Sequence, residues 1–176
     1  VSARRHQVLV LKDDGLPAGT ISKWEWNAAV DLTACSYYEY RLRLCHTTLS
    51  ALTDTFANNY AGNTPVTVYS RNPATIGAVS ANSWFGFPFD TPFDYDGQRN
   101  LVVEVWWVND NNGGGNTQWN FPVNGRCCFS YIVNGNPING YPDKGFASYF
   151  LHYMRATISP SAVAPTSLGR VKSMYH

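Results

Sequence analysis

The sequence predicts an all-β protein, an antiparallel β-sandwich of jelly-roll type with eight or nine strands and at most one short helical turn. Three observations predict it. Apolar and polar residues alternate with a period of two in several segments. Turn pairs recur between those segments, among them Asp14-Gly15, Asp96-Gly97, Asn124-Gly125, Asn134-Gly135 and Asn139-Gly140. No stretch sustains a helical period long enough for a long helix, and no internal repeat is present.

The alternation is clearest in three places. In residues 36–46, Tyr38, Tyr40, Leu42 and Leu44 share one face, while Tyr37, Glu39, Arg41, Arg43 and Cys45 share the other. That pattern is a half-buried strand, apolar inside and charged outside. In residues 101–108, Leu101, Val103, Val105 and Trp107 oppose Val102, Glu104, Trp106 and Val108. In residues 146–158, Phe146, Phe150, His152, Met154 and Ile158 oppose Tyr149, Leu151, Tyr153 and Arg155. Weaker strands are expected at 8–11, 20–27, 65–70, 83–87, 117–121 and 127–133. Residues 48–59 place apolar side chains at 49, 52 and 56, which suits a helical turn within a long connection.

Length and composition fit one domain over residues 1–158. Hydrophobic residues are 44% of the 176, aromatics 15% and charged residues 14%, with a net charge of +1. Such a chain is too apolar for disorder and has no field to recruit nucleic acid or anionic membrane. No apolar run reaches the roughly 18 residues of a membrane span, so no membrane insertion is expected. The chain opens on VSARRHQ rather than on Met, as a processed N-terminus would. Residues 159–176 carry Ser/Thr-Pro and Pro-Ser/Thr steps without a period. They are expected to be a tail docked on the domain or on a neighbouring subunit. Its Ser159, Ser161, Thr166 and Ser167 are candidates for O-linked sugars.

Three stretches are similar to a β-sandwich module of secreted and surface-exported bacterial proteins. They are HQVLVLKDDGLPAGTISKWEWN (6–27), YYEYRLRLCHTTLSALTDTFANNY (37–60) and, between 66 and 107, VTVYSR with WFGFPFDTPFDYDGQRNLVVEVWW. The last is the most specific, with its TPF, aromatic-Asp-Gly and NLVVEV steps. The resemblance implies a sandwich fold and export. It implies no activity and no catalytic residues.

Asp94 and Asp96 stand at i and i+2 before Gly97. With Asp110 they are candidate ligands for a structural calcium ion, which takes six to eight oxygens. No other cofactor is expected. The competing reading makes Asp96-Gly97 a turn that launches the strand after it. The glycines of NDNNGGGN (109–116) lack the following helix and lysine of a phosphate loop. No G-x-S-x-G, S-x-x-K or H-E-x-x-H pattern occurs. The three glutamates, Glu25, Glu39 and Glu104, lie within expected strands and are scattered along the chain, and no enzyme activity is expected.

The four cysteines, Cys35, Cys45, Cys127 and Cys128, are disulfide candidates, and their spacing fits no zinc motif. Cys127 and Cys128 must point to opposite sheet faces, so two separate bridges to Cys35 and Cys45 are one pattern. A vicinal bridge and an intersubunit bridge are the others. Trp106, Tyr37, Tyr149 and Tyr153 lie opposite their strands' apolar sides, where they can meet a subunit interface or a glycan. Few charges and many Tyr and Asn suit a surface covered by copies of itself.

The expectation is therefore a non-enzymatic extracellular structural protein, the repeating subunit of a filament, tube or layer, with copies of itself as partners. The alternative is a carbohydrate-binding or adhesive module of a larger secreted protein, with glycans as partners.

Overall fold

The computed structural model describes residues 3–110, 119–120, 125–133, 135–138, 140–148 and 151–160. Among them the chain is all-β, with two one-turn 3-10 helices at Lys12–Asp14 and Asn58–Tyr60 and no α-helix. The strands are β1 (Ala3–Val10), β2 (Gly19–Asn27), β3 (Cys35–Thr47), β4 (Val66–Arg71), β5 (Ala74–Ile76), β6 (Trp84–Tyr95) and β7 (Asn100–Asp110). They continue as β8 (Trp119–Asn120), β9 (Cys127–Val133), β10 (Asn136–Ile138), β11 (Phe146–Ser148), β12 (Leu151–His152) and β13 (Met154–Pro160). The count exceeds the eight or nine expected because short strands at 74–76 and 136–138 lack a long alternating pattern and the single stretch expected at 146–158 is divided into three strands.

The architecture is a sandwich of two antiparallel sheets. The larger runs β10-β9-β1-β7-β3-β4, with β11 on β9 and β5 on β3; the smaller runs β13-β2-β6. Between them lies the main core. Leu42, Leu44, Leu101, Val103 and Val105 of the large sheet face Ile21, Trp24, Trp26, Phe87, Phe93 and Tyr95 of the small one. Each side chain of this kind contributes roughly 1.5–3 kcal/mol on burial. Along the β4–β6 seam, Tyr69 stacks on Phe87 with centroids 4.5 Å apart, and Tyr40 packs on the same ring at 5.0 Å.

A second core covers the opposite face of the large sheet. Leu9, Cys45, Val102 and Cys128 pack beneath Leu52, Phe56 and Tyr60 from the connection between β3 and β4. Successive strand residues point to opposite faces, so Val102 and Val103 serve different cores. This loop layer, with its 3-10 turn at Asn58–Tyr60, is where the helical turn was expected.

Two strand expectations are corrected. Within β3 the alternation breaks at Glu39, whose φ of 47° lies in the left-handed region and whose N–H donates to Asn72 Oδ1 at 3.3 Å. The pairing of β3 with β7 slips between Tyr38 and Arg41. This bulge turns Tyr37 onto the main core and leaves Tyr38 40% exposed, the reverse of the simple alternation. The 146–158 stretch is three strands rather than one. β11 pairs with β9 in the large sheet, β12 with β8, and β13 with β2 in the small sheet. The chain crosses between layers here, and Phe146, expected inside, is exposed.

β13 reaches Pro160, so Ser159 and Pro160 still pair with Thr20 and Gly19, two residues beyond the expected domain end. Ser159 is exposed. Ser161, Thr166, Ser167, Tyr149 and the side chain of Asp110 lie outside the described residues.

Candidate functional site

The TPFDYDGQRN stretch forms the end of β6 and the turn into β7. Thr20 Oγ1 donates to Asp94 Oδ1 at 2.6 Å. Asp96 Oδ1 accepts the Gln98 and Arg99 N–H groups at 2.9 and 3.0 Å, and Oδ2 accepts Arg99 Nε at 2.6 Å. Gly97 has φ 67°, which the turn requires. Both Asp96 oxygens are thus engaged in holding the turn, and among the described residues neither Asp94 nor Asp96 joins a group of three metal-capable ligands. Both aspartates fit the turn reading.

Partial burial of Asp96 opposes its ionisation, but the Arg99 and Gln98 amides and the Arg99 guanidinium outweigh it. Its carboxyl is held well below the usual range. A depressed folded pKa stabilises above the unfolded value of about 3.9, and the contribution is lost as pH falls below that. Asp96→Ala is expected to cost about 1 kcal/mol at pH 6. The gap to the native protein should narrow towards pH 2 in urea titrations at both pH values.

Glu104 and Glu25 are both buried. Glu104 lies on the loop-covered face of the large sheet and accepts from Arg5, Arg43, Gln7 and Tyr60. Glu25 lies on the outer face of the small sheet with Lys23 and Arg155. The two sheets stand between them, so they cannot share a glycosidic bond. The sequence gives no sign of the Glu104 network, because its covering residues come from an aperiodic loop.

Of the aromatic candidates, Trp106 is half-buried. The Arg41 and Arg5 guanidinium carbons lie 5.1 and 5.7 Å from its ring centroid, and Tyr141 meets it edge-on at 6.4 Å. These neighbours pack against the ring. Tyr37 packs against Trp107 with centroids 5.1 Å apart. Tyr153 is 46% exposed and stands immediately before β13. The Trp84 ring is covered by Arg155 at 4.6 Å.

All four cysteines are free and buried, so the two-bridge pattern is not formed. The register explains why. Cys45 aligns with Val102 on β7, Val102 with Leu9 on β1, and Cys128 lies on β9 beyond β1. That places Cys45 and Cys128 about 14 Å apart across the sheet, beyond the roughly 7 Å limit for a bridge. Cys35 sits at the other end of β3, paired with Ile76. Cys127 and Cys128 do face opposite ways, as the alternation requires.

Cys127 instead meets two histidines. His6 in β1 and Cys127 in β9 are diagonal neighbours on the face turned towards the small sheet, with His6 Nε2 2.9 Å from Cys127 Sγ. His152 arrives on β12, at the crossing between sheets, with its ring centroid 4.6 Å from that of His6. The ligand atoms of His6, Cys127 and His152 all lie within 4.8 Å of one another. Burial first, then His152 and Arg4, keep the His6 imidazole far below the usual histidine range. Burial and then Arg4 lower His152 to about 4. Burial pushes the Cys127 thiol up to about 12, so it is no nucleophile at neutral pH. Three neutral ligand atoms in a shielded pocket can hold a metal ion. The sequence conceals the trio because 121 residues separate His6 from Cys127. The one available signal is that His152 shares a strand face with Phe146, Phe150 and Met154.

Fold and site thus define an antiparallel β-sandwich with a buried imidazole–thiol cluster. Comparison of the chain with family models, with curated proteins and with solved structures finds no match.

Proposed function

We propose that the protein is a non-enzymatic structural subunit that acts outside the cell and assembles with copies of itself. The observation that carries this reading is the open edge of β13. This strand pairs with β2 on one side only, and its outer side has no strand partner among the described residues. Exposed Tyr153 stands at its start, and residues 161–176 follow its end. An unpaired edge beside exposed aromatic surface is a template for strand addition from another chain. A contact of that heterologous kind repeats into a ring or an open helix.

Two further facts support the reading. Glu25 and Glu104 are buried and engaged by basic side chains, and the Cys127 thiol is buried, so none of these three furnishes an accessible catalytic group. The resemblance to modules of exported proteins supplies the extracellular setting. Among the described residues no helix is long and apolar enough to cross a membrane.

The test uses the alternation of the ladder. Asn27 N–H donates to the Tyr153 carbonyl at 3.1 Å, so Tyr153 and Arg155 direct their backbone groups towards β2. Met154 and Ala156 direct theirs to the open side. Ala156→Pro therefore removes an outward N–H and spares the β2 ladder. The native chain is expected to form threads or large particles in negative stain and to sediment as a polymer. Ala156→Pro is expected to remain dispersed, with circular dichroism and melting close to native. A native chain that stays monomeric at high concentration, or a variant that assembles as well as it does, overturns the reading.

A further inference from the structure

The His6–Cys127–His152 cluster has no part in strand addition, and its chemistry points elsewhere. Three strands deliver one ligand atom each: β1 the His6 imidazole, β9 the Cys127 thiol, β12 the His152 imidazole. We propose that these three side chains form a three-coordinate site for one soft monovalent cation, Cu(I), bound through Cys127 Sγ and one nitrogen of each imidazole.

The donor set and the burial select the ion. A thiolate with imidazoles favours Cu(I) or zinc over hard cations such as calcium and magnesium. Zinc completes a tetrahedron with a fourth ligand, protein or water. Here Cys127 is 1% exposed and His6 8%, with His152 part-buried, which limits access for water, while three ligands suffice for Cu(I). Charge decides in the same direction. Arg4 is the charged group acting on both histidines and on Cys127. Cu(I) with a thiolate is neutral, whereas a divalent ion would leave an added positive charge beside the Arg4 guanidinium in a medium of low polarity.

The separations also fit. Metal bonds of 2.0–2.3 Å place pairs of ligand atoms about 3.3–4.0 Å apart. The cluster runs from 2.9 Å between His6 Nε2 and Cys127 Sγ to an upper limit of 4.8 Å, so small side-chain rotations suffice. On binding, the cation replaces the Cys127 thiol proton, the proton passes to solvent, and copper remains monovalent. The bound ion would tie β12, on the crossing between sheets, to β1 and β9 of the large sheet, and so stabilise the fold.

The experiment takes the reduced full chain under nitrogen and offers it one equivalent of Cu(I) with bicinchoninate as competing chelator. Copper retained after desalting is measured, the metal's neighbours are read by X-ray absorption, and melting is followed with and without copper. The expected result is one copper per chain, bound to one sulfur and two nitrogens, with a raised Tm. Cys127→Ser and His152→Gln should each lower retained copper about tenfold or more and abolish the Tm rise. Cys128→Ser, one residue away but on the opposite face, should retain copper. Should a ligand variant fail to fold, the absorption spectrum of the native protein still decides. Retention unchanged in both ligand variants, a coordination shell of two or more sulfurs, or zinc retained in place of copper when both are offered would each overturn the proposal.

Discussion

Glu104→Ala is expected to cost about 3–5 kcal/mol, because it strips the partner from charges that remain largely buried. For a chain of this size that lowers Tm by roughly 6–20 °C. The Glu104 side chain is 1% exposed, and those of Arg5 and Arg43 are 11% and 20% exposed. One carboxylate accepts from Arg5 Nε at 2.9 Å, Arg43 Nε at 2.7 Å, Gln7 Nε2 at 2.8 Å and the Tyr60 hydroxyl at 2.5 Å. Burial, and then Glu104 itself, push the Tyr60 hydroxyl up to about 12, so it stays a donor. The network reaches further into the covering loop. Gln7 donates to the Phe56 carbonyl at 3.1 Å and accepts from Asn59 Nδ2 at 2.8 Å. Arg5 also lies 4.5 Å from the Phe56 ring centroid. Loss of Glu104 therefore leaves two guanidinium groups uncompensated and loosens the loop that roofs the second core. Glu104→Gln keeps the shape and half the acceptors and should lose less. Urea denaturation of the three proteins checks this order; a loss below about 1 kcal/mol for Glu104→Ala would show that water replaces the carboxylate readily.

That network marks the boundary of what the sequence makes legible. The sandwich is readable because alternation records which residues share a face, and the faces of 101–108 are assigned as the structure has them. Alternation says nothing about what lies over each face. Glu104 and Trp106 are on the side opposite Leu101 and Val103, yet Leu52, Phe56 and Tyr60 roof the second face from a loop without a period. The reversal at Tyr37 and Tyr38 is hidden for a different reason. The left-handed backbone at Glu39 has neither Gly nor Asn to announce it. The unbroken pattern of 146–158 likewise conceals a change of sheet, since parity survives when the chain turns a corner.

Of the candidate sites, the Asp96-Gly97 turn was legible because its partners, Gln98 and Arg99, are local. The His6–Cys127–His152 cluster was not, because β1 and β9 become neighbours only through the sheet order. Cysteine spacing searches for ligands nearby in the chain, and here the second and third ligands arrive from strands more than a hundred residues from the first.

Gly86→Ala is expected to cost more than about 3 kcal/mol, beyond the usual range for an added methyl group. Gly86 lies in β6 opposite Glu25 of β2. A Cβ placed there would stand 2.0 Å from the Trp24 carbonyl oxygen and 2.8 Å from the Glu25 Cα. Both atoms belong to the backbone of the central strand of the small sheet, which is held by β6 on one side and β13 on the other. Relief would require β2 to move, and Trp24 and Trp26 on that strand are buried in the main core. Gly77→Ala is the matched control: it is exposed, with nothing within 4 Å of the added atom, and should change stability by less than about 0.5 kcal/mol. Urea midpoints measure both, and the near-ultraviolet dichroism of the tryptophans should weaken in Gly86→Ala alone. The comparison also separates fold from assembly. Gly86→Ala should abolish assembly only by loosening the sheet that carries β13, so its loss must accompany a lower midpoint. Ala156→Pro should abolish assembly at an almost unchanged midpoint, because it alters the outer edge of that same strand and leaves the ladder to β2 in place.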